Sequence, residues 1–158
     1  MIKYILILNI ILSSFVYAEY TRFTRLDSGI VVDHEYGLQW QDDVNYTDEW
    51  LEAIDYCENL DLGGETDWRM PNINELTFII DVNYTKPTIN SIYQTIKLDN
   101  SNCSKGKDFY WSSTSSDENR SKAVGVGFNL GQTLIGMKKE VSSNEQNCSV
   151  RCVRSDFD

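Results

Sequence analysis

The 158-residue sequence is short of basic residues, of histidine and of proline. Lys and Arg number 14 against 24 Asp and Glu, which leaves a formal charge of −10. No basic cluster offsets that balance, so nucleic acid, anionic lipid and polyanionic sugars are disfavoured partners. The single histidine, His34, sits in a turn-like His34-Glu35-Tyr36-Gly37 stretch. A Ser-His-Asp triad or a histidine-bearing metal site would have to be built on it alone, and neither arrangement stands out. A glycine-rich phosphate loop is missing too. Nothing meets the geometric roles that catalysis requires, so the sequence reads as a non-enzyme with no metal or other cofactor. The two prolines and nine glycines form no linker, and no low-complexity block divides the chain.

A long apolar run is also lacking. Residues 4–16 are apolar except for Asn9, Ser13 and Ser14, well short of the roughly 20 residues that span a bilayer. Lys3 precedes this run and Val16-Tyr17-Ala18, a small-x-small exit, follows it. That order predicts a signal peptide over residues 1–18. The residue directly after Ala18 is Glu19 and not a cysteine, so no lipid anchor is expected, and no membrane span is expected after cleavage. Removing the leader takes away one lysine and moves the formal charge from −10 to −11. Residues 19–158 are expected to form a single domain in the periplasm, at the surface or in the medium of a bacterium.

What is present begins with an even number of cysteines. Cys57, Cys103, Cys148 and Cys152 all follow the leader, which in an exported chain reads as two disulfides. Spacing leaves all three pairings open. A zinc site is disfavoured, because Cys148 and Cys152 have no second ligand pair nearby.

The pattern after residue 21 predicts a meander of short strands over 22–26, 30–32 and 38–41, with turns at Asp27-Ser28-Gly29 and 34–37. Thr47 reads as a helix N-cap, followed by the stripe Trp50, Ala53, Ile54, Cys57 and Leu60, with Gly63-Gly64 as the stop. Asn72 and Glu75 read as the capping box of a second helix that buries Leu76, Ile79 and Ile80. Residues 81–107 read as loop, with a short helical turn over 89–93. Strands are predicted over 109–114, 123–128, 133–137 and 150–154. Early helices and a late antiparallel sheet make the class α+β, two helices packed on a small, mostly antiparallel sheet.

Several ordered motifs then resemble one family. They are Trp68-Arg69-Met70-Pro71 followed by Glu75-Leu76, then Tyr110-Trp111-Ser112-Ser113-Thr114, then Val126-Gly127-Phe128 with Gly131, and finally Val150-Arg151-Cys152-Val153-Arg154. With Asp27-Ser28-Gly29 and Gly37-Leu38-Gln39-Trp40, they resemble the Lcl carboxy-terminal domain family, from about Phe23 to Arg154. The resemblance implies a C-type-lectin-like fold, with the first helix tied to the last strand through Cys57–Cys152, leaving Cys103 with Cys148. The family's namesake, a bacterial collagen-like adhesin, is implicated in binding sulfated polysaccharides. This acidic chain is a poor match for such a ligand. It also lacks the Glu-Pro-Asn or Gln-Pro-Asp triplet of calcium-dependent lectins, since Met70 and Asn72 flank Pro71.

The expected reading is an exported binding or adhesion module that recognises a glycan or protein ligand through loops. Trp68 and Trp111 are expected in the core, and Arg69 and Glu75 as an internal ion pair beside Pro71. Ligand contacts are sought in loops 97–108 and 115–122, above all at Asp117, Glu118, Asn119 and Arg120. The competing readings are an envelope assembly protein and, less favoured, an enzyme distantly like formylglycine-generating enzymes, which would need a reactive cysteine pair. One further pattern bears on the surface. Asn-x-Ser/Thr triplets occur at Asn45, Asn83, Asn102, Asn119 and Asn147, and all but Asn102 carry an acid two positions earlier: Asp43, Asp81, Asp117 and Glu145. This resembles the acceptor sequence of bacterial N-glycosylation, so Asn45, Asn83, Asn119 and Asn147 are the expected acceptors.

Overall fold

A computed structural model describes residues 21–47, 49–85, 88–94, 108–138 and 148–156. The leader, Cys103, Asn102, Asn147 and most of loop 97–108 lie outside these residues.

The meander forms as the alternation predicts: β1 (Phe23–Arg25), β2 (Ile30–Asp33) and β3 (Leu38–Gln41) pair antiparallel in sequence order. Thr47, expected to cap a helix, instead ends a short strand, β4 (Asn45–Thr47). Its backbone pairs with Cys148 and its side chain is buried, so it is not available to the helix. The helix α1 (Trp50–Glu58) is capped by Glu49, whose N–H donates to Glu52 Oε2 at 3.2 Å. It also stops before Gly63-Gly64, because Asn59 turns its side-chain Nδ2 back onto the Asp55 carbonyl at 2.7 Å. The two glycines, at φ +69° and +86°, make a separate turn that joins Leu62 to Glu65.

The second helix, α2 (Ile73–Phe78), has the expected box. Asn72 Oδ1 accepts from the Glu75 N–H at 3.0 Å and Glu75 Oε2 accepts from the Asn72 N–H at 2.8 Å. Ile80 then bridges Ile89, and the helical turn expected over 89–93 is a single hydrogen-bonded turn, Tyr93 N–H to Asn90 O at 3.1 Å. The strands β5 (Phe109–Ser115), β6 (Lys122–Gly127) and β7 (Gln132–Met137) form the late meander.

The last predicted strand is two strands. β8 (Cys148–Val150) lies between β4 and β5, while β9 (Val153–Ser155) pairs with β3. Between them Arg151 and Cys152 are fully buried. Arg151 Nη1 donates to the Gln41 carbonyl at 2.6 Å, and Cys152 is bonded to Cys57, their α-carbons 5.4 Å apart. These two anchors bend the chain out of one sheet and into another. The α+β class therefore holds, with two sheets in place of the expected one: β1-β2-β3-β9 and β4-β8-β5-β6-β7. Only the β5–β8 pair is parallel among the described strands.

Both sheets serve two core clusters, because successive side chains on a strand face opposite ways. Ile30 and Val32 of β2, Phe109 and Trp111 of β5, and Val150 meet Ala53 and Cys57 of α1. Val31 and Tyr110, their immediate neighbours, and Val153 of β9 meet Leu76 of α2 with Trp40 and Phe128. The β-branched run in β2 is buried along its whole length, as a strand covered on both faces must be.

Candidate functional site

The β1–β2 hairpin reverses at Asp27-Ser28-Gly29, and Gly29 takes φ +80°, a left-handed value that glycine adopts without a Cβ clash. Ser28 and Gly29 thereby wall one side of an open cleft of about 490 Å³. Gln41, Asp42 and Asp43 at the end of β3, together with Tyr56, Leu60 and Leu62, form the other sides, and Arg25 reaches in from β1.

The floor is ionic. Asp42 is 1% exposed. Its Oδ2 accepts from Arg25 Nε at 2.8 Å and lies 2.6 Å from Arg25 Nη2. Its Oδ1 accepts from the Gln94 N–H at 3.0 Å and lies 3.5 Å from Arg151 Nη1. Arg151 in turn lies over the Tyr93 ring, 4.8 Å from its centroid. A carboxylate taken out of water costs several kcal/mol unless it is paired and hydrogen-bonded, and here two guanidiniums and a backbone donor meet that need. Burial raises the Tyr93 phenol well above its ordinary range, and the nearby Arg151 charge only partly opposes this. The rim is tied to the disulfide: Gln41 Nε2 donates to the Tyr56 hydroxyl at 2.6 Å, and Gln41 Oε1 accepts from the Cys152 N–H at 3.2 Å. Among the lining residues Ser28 and Tyr56 carry hydroxyls and Asp43 a carboxylate, one oxygen of which accepts from the Val44 N–H at 2.8 Å.

None of the residues singled out in loop 115–122 lines this cleft. Asp117, Glu118, Asn119 and Arg120 are all exposed between β5 and β6. His34 is exposed in the β2–β3 turn, 2.9 Å from the Thr24 hydroxyl. Among the described residues no three His, Cys, Asp or Glu side chains gather as a metal site, and no helix is long and apolar enough to cross a membrane.

The motif residues meet at one structural corner. Arg69 Nη1 and Nη2 donate to the two Glu75 oxygens at 2.8 and 2.7 Å. Arg69 also exchanges two backbone hydrogen bonds with Val153, each 2.9 Å. The Pro71 carbonyl accepts from the Ser113 N–H at 2.8 Å, and the Ile73 N–H donates to the Thr114 hydroxyl at 3.0 Å. Trp68 and Trp111, 2% and 1% exposed, pack in the same cluster. The three most distinctive motifs are thus bonded to one another and form a scaffold. Cys148 is also disulfide-bonded, while Cys103, its expected partner, lies outside the described residues.

Sequence reading missed Arg25, Gln41, Asp42 and Tyr56. The one available signal was Arg151, a charge inside the otherwise strand-like Val150-Arg151-Cys152-Val153 run, which implies a buried counter-charge without naming it.

No curated protein matches the chain. Residues 29–154 match the Lcl C-terminal domain, a span that contains the whole motif corner, the Cys57–Cys152 bond and all of the cleft but Arg25 and Ser28. On that match, the chain belongs to the Lcl C-terminal domain family.

Proposed function

We propose that the chain is an exported, non-catalytic binding module on a C-type-lectin-like scaffold, and that it takes a neutral glycan in the cleft between the β1–β2 turn and α1. The lectin-like reading is supported by the tie from the first helix to the end of the chain through Cys57 and Cys152. Export is supported by that same bond, which persists in oxidising compartments, and by the leader-like residues 1–18. The observation that carries the binding reading is the contrast between floor and rim. Both Asp42 oxygens are already taken by Arg25, Arg151 and Gln94. The rim carries hydroxyl and carboxylate side chains, Ser28, Tyr56 and Asp43, of the kind that match sugar hydroxyls, with Tyr56 as an aromatic wall. The acidic balance of the chain disfavours sulfated or phosphorylated sugars.

A glycan array followed by titration calorimetry tests this. Ser28 is exposed, so Ser28→Trp fills the cleft without disturbing the core. Binding of neutral glycans is expected to fall at least about tenfold, roughly 1.4 kcal/mol, at unchanged Tm. Asp117→Ala with Arg120→Ala should leave it intact. The opposite pattern moves the site to the β5–β6 loop. Binding confined to peptides overturns the glycan assignment, and turnover of a bound glycan overturns the non-catalytic one.

A further inference from the structure

Of the five Asn-x-Ser/Thr triplets, those at Asn45, Asn83 and Asn119 lie within the described residues, and the structure treats them unequally. Asn45 lies within β4, its backbone paired with Val150, and the Thr47 that completes its triplet is buried at 6% exposure. A transferase that binds the acceptor triplet as an accessible segment cannot reach it in the folded protein.

Asn83 and Asn119 differ in every respect. Residues 82–85 are all exposed, Val82 at 84%, beyond a backbone closure from the Asp81 N–H to the Thr88 carbonyl at 2.9 Å. Asp81 Oδ1 accepts from both the N–H and the Nδ2 of Asn83, at 3.0 and 2.9 Å. Residues 117–121 are likewise all exposed, in a loop closed by Ser116 and Lys122, whose backbone bond is 2.9 Å. There Asn119 Oδ1 accepts from the Ser121 N–H at 2.9 Å and from the Ser121 hydroxyl at 2.7 Å. The triplet hydroxyl thus holds the carboxamide by its oxygen rather than by Nδ2. The acids two positions earlier differ: Asp117 is exposed on the same loop as Asn119, whereas Asp81 is half-buried at the closure of its loop.

We infer that Asn119 and Asn83 are N-glycosylation acceptors in the folded protein and that Asn45 is not. The donor class is a polyprenyl-diphosphate-linked oligosaccharide. Nδ2 of the asparagine forms a bond to the anomeric carbon of the sugar. The bond from that carbon to the diphosphate oxygen breaks, and the polyprenyl diphosphate leaves with the electron pair. Nδ2 gives up one proton to a base of the transferase. Asn119 is the readier acceptor, since at Asn83 the Nδ2–Asp81 bond must open first. A glycan at Asn83 would also cover Val82, an apolar side chain otherwise left in water. The inference is independent of the cleft and its ligand.

The test is intact-mass and glycopeptide mass spectrometry of the protein purified from its native host. The expected result is a chain beginning at Glu19 with sugar mass on Asn119 and Asn83 and none on Asn45. Ser121→Ala and Asp117→Ala, both exposed and outside the core, should each remove the Asn119 glycan at unchanged Tm and leave the one on Asn83. An intact mass equal to the bare polypeptide overturns the proposal. Sugar on Asn45 as well overturns the claim that the folded chain is the acceptor, because that site is reachable only before β4 pairs.

Discussion

Glu75 accepts from Arg69 through both oxygens while one of them, Oε2, also takes the Asn72 N–H. Burial opposes its ionisation, yet the bonds from Arg69 and Asn72 and the Arg69 charge outweigh it, and the carboxyl is held below its ordinary value of 4.5. A carboxyl whose folded pKa is depressed contributes stability above its unfolded pKa and loses that contribution as pH falls through the folded one. Glu75→Gln is therefore expected to lower stability by about 1–2 kcal/mol at pH 7. The gap to the parent should close below pH 4.5, which urea denaturation across pH 3 to 7 would follow. A gap that stays constant to pH 3 would contradict the charge assignment. This pair was readable in the sequence because its partners are six positions apart and lie within a capping box. Asp42 was not, because its partners come from β1 and from Arg151, and Arg151 is 110 positions from the neighbouring Gln41. Short-range chemistry leaves a local pattern, whereas an ion pair closed by the fold leaves only one charge in an apolar run.

The same distinction holds between elements. β2 and β5 were legible from period and β-branching, and α2 from its caps. β4 was not, since three residues with a polar start carry no period and are a strand only because β8 lies beside them. The break between β8 and β9 was hidden for the converse reason: residues 150–154 read as one short strand, and only the anchors at Arg151 and Cys152 separate them. Glycine in β6 shows the reverse, a local residue explained only by packing. A Cβ at Gly125 would lie 2.3 Å from the Tyr110 carbonyl and 2.4 Å from the Phe109 ring. Neither can withdraw, since both belong to the adjoining strand β5 and Phe109 is 1% exposed in the core. Gly125→Ala is expected to destabilise the fold by about 1–3 kcal/mol through overpacking. A loss of unfolding free energy of under a tenth of that size, read by urea denaturation, would show that β5 and β6 separate more easily than their packing implies.

Over the whole molecule, the Cys57–Cys152 bond closes a loop of 95 positions and joins α1 to the segment that passes between the sheets. Closing so long a loop removes much of the freedom of the unfolded chain. The variant carrying Cys57→Ala with Cys152→Ala should lose about 3–5 kcal/mol, read as a lower urea midpoint with Cys103 and Cys148 untouched. Equal stability would mean that Arg151, β8 and β9 suffice to hold the two sheets together. Legibility at this scale was mixed: the even cysteine count signalled bonds, family resemblance supplied the pairing, and the division into two sheets was visible in neither.

Residues 148–156 fill a place in both sheets, bring Arg151 to Asp42 and supply the partner of Cys57. A ribosome makes this segment after every element it joins. Until then β3 lacks β9, β4 lacks its neighbour in the second sheet, and Asp42 lacks one of its two guanidiniums. Partial chains that lack this segment therefore have no complete core to settle into. Neither sheet is complete until residues 148–156 have been made.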